Sequence, residues 1–288
     1  MTREWLIAAN KRLPIGQRTL VMGVLNVTPD SFSDGGEFFS LDKALAHAQQ
    51  MIAEGADIID VGGESTRPGG AAIVSAEEEL ERVLPVIEQL AARFEVPISI
   101  DTTKASVARS ALAAGAAIVN DISALRFDPE IADEVAKLSA GLVLMHSRGT
   151  PGALHGLPPV ADIMSEVTSS LRSSIEIAEQ RGVKRESIVI DPGIGFGKSQ
   201  EQNIELIARL DQLIAAFPDC PLLIGTSRKS FIGRILADAN GAPAPVERRL
   251  QGSLATLAIA VLKGAHIVRV HDVRAAVETV RVADAIRT

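Results

Sequence analysis

Eight short runs rich in β-branched residues, separated by amphipathic stretches, constrain the fold of this chain more than any other feature. The runs are TLVMGVLN (Thr19 to Asn26), DIIDVGG (Asp57 to Gly63), PISID (Pro97 to Asp101), AIVND (Ala117 to Asp121), GLVLMH (Gly141 to His146), SIVIDPG (Ser187 to Gly193), PLLIGTS (Pro221 to Ser227) and HIVRVHD (His266 to Asp272). Between them, apolar residues recur at helical spacing over Leu41 to Glu54, Ala76 to Phe94, Lys104 to Ala114, Ile163 to Arg181 and Glu201 to Phe217. Strands that alternate with helices make a parallel sheet, and eight such units close a (β/α)8 TIM barrel of the α/β class. GADIID, GAAIVND and GAHIVRV each place a helix-ending glycine just before a buried run, which repeats one turn design around the ring. A length of 288 residues suits one barrel domain over 1–288, with the first eighteen residues a lead-in that could form a small lid over the barrel bottom.

Composition narrows the function classes. The longest apolar stretch, Leu254 to Leu262, is far below the roughly 20 residues of a membrane span, so no membrane association is expected. The N-terminus MTREWLIAANKR has no signal-peptide pattern, and Cys220 is the lone cysteine, so a cytoplasmic protein without disulfides or a cysteine metal cluster is expected. Net charge is −7 with acidic and basic residues interspersed, which argues against nucleic acid as a partner but leaves a small anionic substrate open.

In a barrel of this kind the active site lies at the C-terminal strand ends. Here those ends carry Asn26, Asp60, Asp101, Asn120 with Asp121, His146, Asp191, Ser227 to Lys229, and Arg269 with His271. One polar strand end means little, but eight together describe a polar mouth. The long loops Thr28 to Ser40, Glu64 to Val74 and Ser147 to Pro159 follow strands one, two and five and suit functional covers, whereas GAPAP (Gly241 to Pro245) reads as a plain connector. GIGFGKS (Gly193 to Ser199) superficially suggests a nucleotide loop. It fails on spacing, with Pro192 where a Walker loop needs glycine and Lys198 where the dinucleotide fingerprint does. No HExxH, GxSxG or CxxC pattern is present, and the five histidines are not spaced as a zinc set. Lys229 could form a Schiff base, but its neighbour Arg228 argues more for contact with an anion or carbonyl.

LNVTPDSFSDGG (Leu25 to Gly36), DVGGESTRPG (Asp60 to Gly69), IDTTK, VNDI, LMH, DPGIGFGK (Asp191 to Lys198), GTSRKSFIG (Gly225 to Gly233) and RVHDV resemble dihydropteroate synthase, in that family's order and over nearly the whole chain. The chain departs from the family in reading HSRG after LM, where LMHMQG is frequent, and in having no tyrosine. The resemblance implies that p-aminobenzoate displaces pyrophosphate from 6-hydroxymethyl-7,8-dihydropterin pyrophosphate, with Mg2+ as cofactor and no side-chain nucleophile. It implies that Asp101, Asn120, Asp191 and Lys229 hold the pterin edge, and that Asn26 is the metal ligand. Arg269 and His271, two apart on one strand, face the same side and would clamp the pyrophosphate together, with Thr66 adding a hydroxyl. Arg67, Pro68, Phe196 and Ser230 would meet p-aminobenzoate, Phe196 because its glycine-flanked setting is poor for core packing. Lys229, Asp101, Arg269 and His271 would carry the catalytic effect, Asp30, Ser31 and Phe32 would close over the metal and pyrophosphate, and the protein would be a homodimer. Two rivals stay open: a pterin-binding domain that passes a methyl group to a corrinoid, and a silent pterin-binding protein. SRKS and the loop-one motif argue against the first, the full leaving-group set against the second.

Overall fold

The computed structural model describes residues 3–28, 37–64, 74–150 and 157–287. It opens with an antiparallel hairpin of β1 (Arg3–Ile7) and β2 (Lys11–Ile15). Eight parallel strands follow: β3 (Leu20–Asn26), β4 (Ile58–Gly62), β5 (Ile98–Asp101), β6 (Ile118–Asp121), β7 (Gly141–Met145), β8 (Ile188–Asp191), β9 (Leu223–Ile224) and β10 (Ile267–Val270). They pair in the order β8-β7-β6-β5-β4-β3-β10-β9. A single parallel bridge, Ile190 with Leu222, joins the two edges and closes the ring. Each of the eight runs read from the sequence is a strand, shorter by a residue or more because the terminal positions already turn into loops.

Alternation along the strands sorts their side chains into two layers. Val21, Ile59, Ile100, Val119, Leu142, Leu144, Ile190, Leu222, Val268 and Val270 pack outward in the main core beneath the helices. Leu20, Met22, Ile58, Ile118, Val143, Val189, Leu223 and Ile267 point inward and form a separate apolar cluster inside the barrel. The same parity sends Asp60, Asp101, Asn120, Asp191 and Arg269 into the lumen above that floor, each two residues beyond its strand's inward-facing position, which is apolar except for Ser99 on β5.

The helices are α1 (Glu37–Ala53), α2 (Ala76–Arg93), α3 (Ala105–Ala113), α4 (Ile131–Leu138), α5 (Ile163–Gln180), α6 (Gln200–Ala208), α7 (Leu210–Ala216), α8 (Ser230–Ile235), α9 (Leu250–Leu262) and α10 (Val273–Arg287). Side chains cap several starts: Ser75 accepts from Glu78 N, Asp162 from Ser165 N, and Ser199 with Gln202 makes a capping box. The glycines of the repeated αβ turn, Gly55, Gly115 and Gly264, all sit at positive φ. One expectation fails: Glu201 to Phe217 is two helices, α6 and α7, broken at Arg209. No glycine or proline marks that break, and the Arg209 side chain bridges Glu205 and Gln212 across it.

The lead-in proves to be more than a lid. Trp5, Ile7 and Ile15 insert into the inner apolar cluster and plug the barrel floor. Gly141 makes room for the plug, since a side chain there would come within 3.0 Å of both Trp5 and Ile7. The fully buried Trp5 indole donates to Ser187 O at 2.8 Å. Trp5→Phe keeps most of the apolar volume but strands that carbonyl. It should lower unfolding free energy by about 1–3 kcal/mol, read from the urea midpoint, with turnover at the far end of the barrel unchanged. An unmoved midpoint would show that the indole bond does not matter.

Candidate active site

Arg269 organises the lumen. From β10 its Nε donates to Asp60 Oδ2 on β4 at 2.6 Å, and its Nη2 to Asp101 Oδ2 on β5 at 2.6 Å. Asn120 Nδ2 on β6 reaches the same Asp60 oxygen at 3.2 Å. Burial acts to lower the Arg269 pKa, but Asp60 and Asp101 outweigh it and hold the guanidinium above its ordinary value. For Asp101 burial is the largest influence and raises the carboxyl above the usual range, against the pull of Arg269. Asp60 is fully buried, and its Oδ1 has no hydrogen-bond partner among the described residues. Asn26 stands beside this group: a side chain on Gly62 would lie 3.8 Å from Asn26 Oδ1 and 3.9 Å from Asp101 Oδ2.

The other half of the mouth comes from the loops after β8 and β9. Asp191 Oδ1 accepts from Gly193 N at 2.7 Å, and burial lifts its carboxyl to about 6 despite that bond and the nearby Lys229, Lys198 and Arg269. Gly193 is obligatory: its φ is +65, and a Cβ would fall 1.8 Å from His146 O. Lys229 Nζ lies 4.1 Å from the Phe196 ring centroid, and burial lowers its ammonium to about 8. The backbone delivers Lys229 through Arg228, a non-glycine residue at φ 60. Ser253 Oγ accepts from Arg228 N at 2.9 Å, and Asp272 accepts from its guanidinium at 3.0 and 2.5 Å. These bonds hold a strained turn in place. His271 Nδ1 sits 3.1 Å from Ser227 Oγ. Burial, then Arg269 and Arg228, push its imidazole down to about 3, so it is neutral near pH 7.

The chain as a whole is similar to characterised proteins. The pattern of the pterin-binding enzymes matches residues 22–271. Dihydropteroate synthase of Synechocystis sp. is 50% identical over 281 residues, covering 95% of this chain and 94% of that one. The chain belongs to the dihydropteroate synthase family. Xanthomonas albilineans dihydropteroate synthase, solved with 4-aminobenzoic acid, superposes with a TM-score of 0.89 at 42% identity, covering 100% of this chain and 99% of that one. The same enzyme solved with 7,8-dihydropteroate gives 0.82 at 42% identity, over 94% and 95% of the two chains.

Against the residues expected of a dihydropteroate synthase, the structure brings Asn26, Asp101, Asn120, Asp191, Phe196, Lys229, Arg269 and His271 to one end of the barrel. Ser230 is exposed at the start of α8. Thr66, Arg67, Pro68, Asp30, Ser31 and Phe32 lie outside the described residues. One reading is corrected. Phe196 is not a poor packer: it is buried with Ile122 and Met145, because the loop folds its ring under Lys229. Arg269 is engaged by two carboxylates, and His271 lies beside Ser227. Asp60 and Ser227 were visible only as polar strand ends. The alternation of β4 was the available signal for Asp60, as it puts that residue on the same face as Ile58 and Gly62.

Proposed function

We propose that this chain condenses 6-hydroxymethyl-7,8-dihydropterin pyrophosphate with p-aminobenzoate, giving 7,8-dihydropteroate and pyrophosphate. The observation that carries this is the convergence of two carboxylates, an amide and an ammonium, Asp101, Asn120, Asp191 and Lys229, beside the cation Arg269. A flat heterocycle with ring N–H, amino and carbonyl groups needs that mixture of acceptors and donors along one edge. Asp191 accepts from the amino group and adjacent ring nitrogen, and Lys229 donates to the ring oxygen and nitrogen.

Arg269 and neutral His271 face the departing pyrophosphate, with Thr66 adding a hydroxyl. Asn26 Oδ1, a hard neutral oxygen next to Asp101, fits a Mg2+ that takes few protein ligands and retains waters and phosphate oxygens. When bound, that ion neutralises charge on the leaving group. The methylene C–O bond breaks as pyrophosphate leaves, the amine nitrogen supplies the electron pair of the new C–N bond, and the amine proton passes to solvent. The electron-rich dihydropterin delocalises the charge on the methylene carbon, so the path is SN1-like and requires positioning more than a base. Arg67, Pro68, Phe196 and Ser230 would seat p-aminobenzoate, with Phe196 offering the ring face beneath Lys229.

We read the chain as one barrel domain acting as a homodimer. Support for the dimer is the exposed apolar surface of the neighbouring helices α9 and α10, with Ile259, Leu262, Val282 and Ile286. A cytoplasmic location is supported by the single cysteine, Cys220, being packed in the core. No described helix is long and apolar enough to cross a membrane. The test is pyrophosphate release with Mg2+ and both substrates. Release should stop when either substrate is omitted and should drop sharply with a chelator. Release at full rate without p-aminobenzoate would refute the reaction, and indifference to chelation would refute the metal.

A further inference from the structure

Lys198 is half-buried, and nothing in the reaction just described uses it. Its Nζ donates to Gly193 O at 2.8 Å, Phe196 O at 3.0 Å and His146 O at 3.2 Å. No carboxylate pairs with it among the described residues. Burial pulls Lys198 well below an ordinary ammonium, and Asp191 pulls it back. The cage decides between the two forms: three carbonyls need three N–H donors, and a neutral amine has only two. The charged form is therefore the one this geometry selects.

The three carbonyls are not arbitrary. His146 directly follows β7, Gly193 carries the amide bonded to Asp191, and Phe196 carries the ring under Lys229. We propose that Lys198 is a positioning residue of the pterin pocket, stapling the loop after β8 to the end of β7 and placing a fixed positive charge behind Asp191. This rests on the reading of Asp191 as a pterin-edge acceptor. The groups facing Asp191 are Lys198 on its own loop, Lys229 after β9 and Arg269 on β10; those facing Lys198 are Asp191, Lys229, Arg148 and Arg126, with His146 supplying a carbonyl. Every charged neighbour of Asp191 named here is cationic, so removing one moves its carboxyl further upward.

Lys198→Gln keeps N–H donors and removes the charge, whereas Lys198→Met removes both. Binding of 6-hydroxymethylpterin, followed by its fluorescence from pH 5 to 9, should lose affinity at neutral pH in Lys198→Gln. Its acid limb should move to higher pH by about one unit, a tenfold loss on the steep side. Lys198→Met should lose more and also lower the melting temperature. Asp191→Asn is the control: wild-type affinity in that variant would refute the role of Asp191 itself. If Asp191→Asn loses affinity while Lys198→Gln binds within twofold of wild type on an unmoved acid limb, the Lys198 proposal is overturned. Failure of Lys198→Gln to fold, or a lowered melting temperature alone, would equally overturn it by leaving a structural role only.

Discussion

Replacing Arg269 by methionine is expected to lower the free energy of unfolding by about 3–5 kcal/mol and to reduce turnover by at least roughly a hundredfold. Asp60 is fully buried and has one oxygen without a partner among the described residues, so losing Nε leaves Asn120 as its one hydrogen-bond partner among them. Asp101 loses its bond to Nη2 at the same time. The deficit should depend on pH with a definite sign. Asp101 is already raised above its unfolded value by burial, and removing the cation raises it further. Between the unfolded and folded pKa values the folded variant binds more protons than the unfolded chain, so its stability falls as pH rises through that window. The loss relative to wild type should be smallest near pH 4 and should grow as pH rises above about 7, where wild-type Asp101 ionises and the variant's does not. Urea melts at several pH values measure it. Equal deficits at pH 4 and pH 8 would sink this account, as would failure of Asp60→Asn to restore part of the stability.

Lys229→Ala should reduce kcat/KM by roughly a hundred- to a thousandfold, the scale of losing one preorganised donor from a water-poor site. In the proposed reaction Lys229 donates to the pterin ring, and its ammonium sits over Phe196. Because burial lowers it to about 8, the free enzyme should lose activity as pH rises through that value and the charge is lost. Pyrophosphate release measured from pH 6 to 10 should show this alkaline limb in wild type and a flat limb in the variant. Lys229→Arg should not rescue, since a planar fork cannot occupy the place of a point charge above the ring. A wild-type limb in Lys229→Ala would assign that titration to another group.

Much of the fold was legible because it is local. The strand runs announce themselves by β-branched residues and terminal turns, and parity within a strand tells Asn120, facing the lumen, from Asp121, whose carboxylate accepts from Ser123 N and Leu125 N. The glycine before each buried run marks where a helix must reverse. The hairpin was not legible in this way: Lys11 to Ile15 contains proline and charges, and its strand character depends on the apolar floor that receives it. The break at Arg209 carries no glycine or proline.

From its sequence alone this protein is determined to be an eightfold strand–helix alternation with a polar end, because repeat and parity follow from neighbouring residues. What only the tertiary structure decided is which polar groups meet. Asp60 and Arg269 are 209 positions apart, Asp101 and Arg269 168, and Trp5 and Ser187 182. Such pairs are set by ring closure, which brings the first strands against the last. The burial of Phe196, the staple made by Lys198 and the unsatisfied oxygen of Asp60 follow from that closure, since desolvation and hydrogen-bond partners exist only once the barrel has formed.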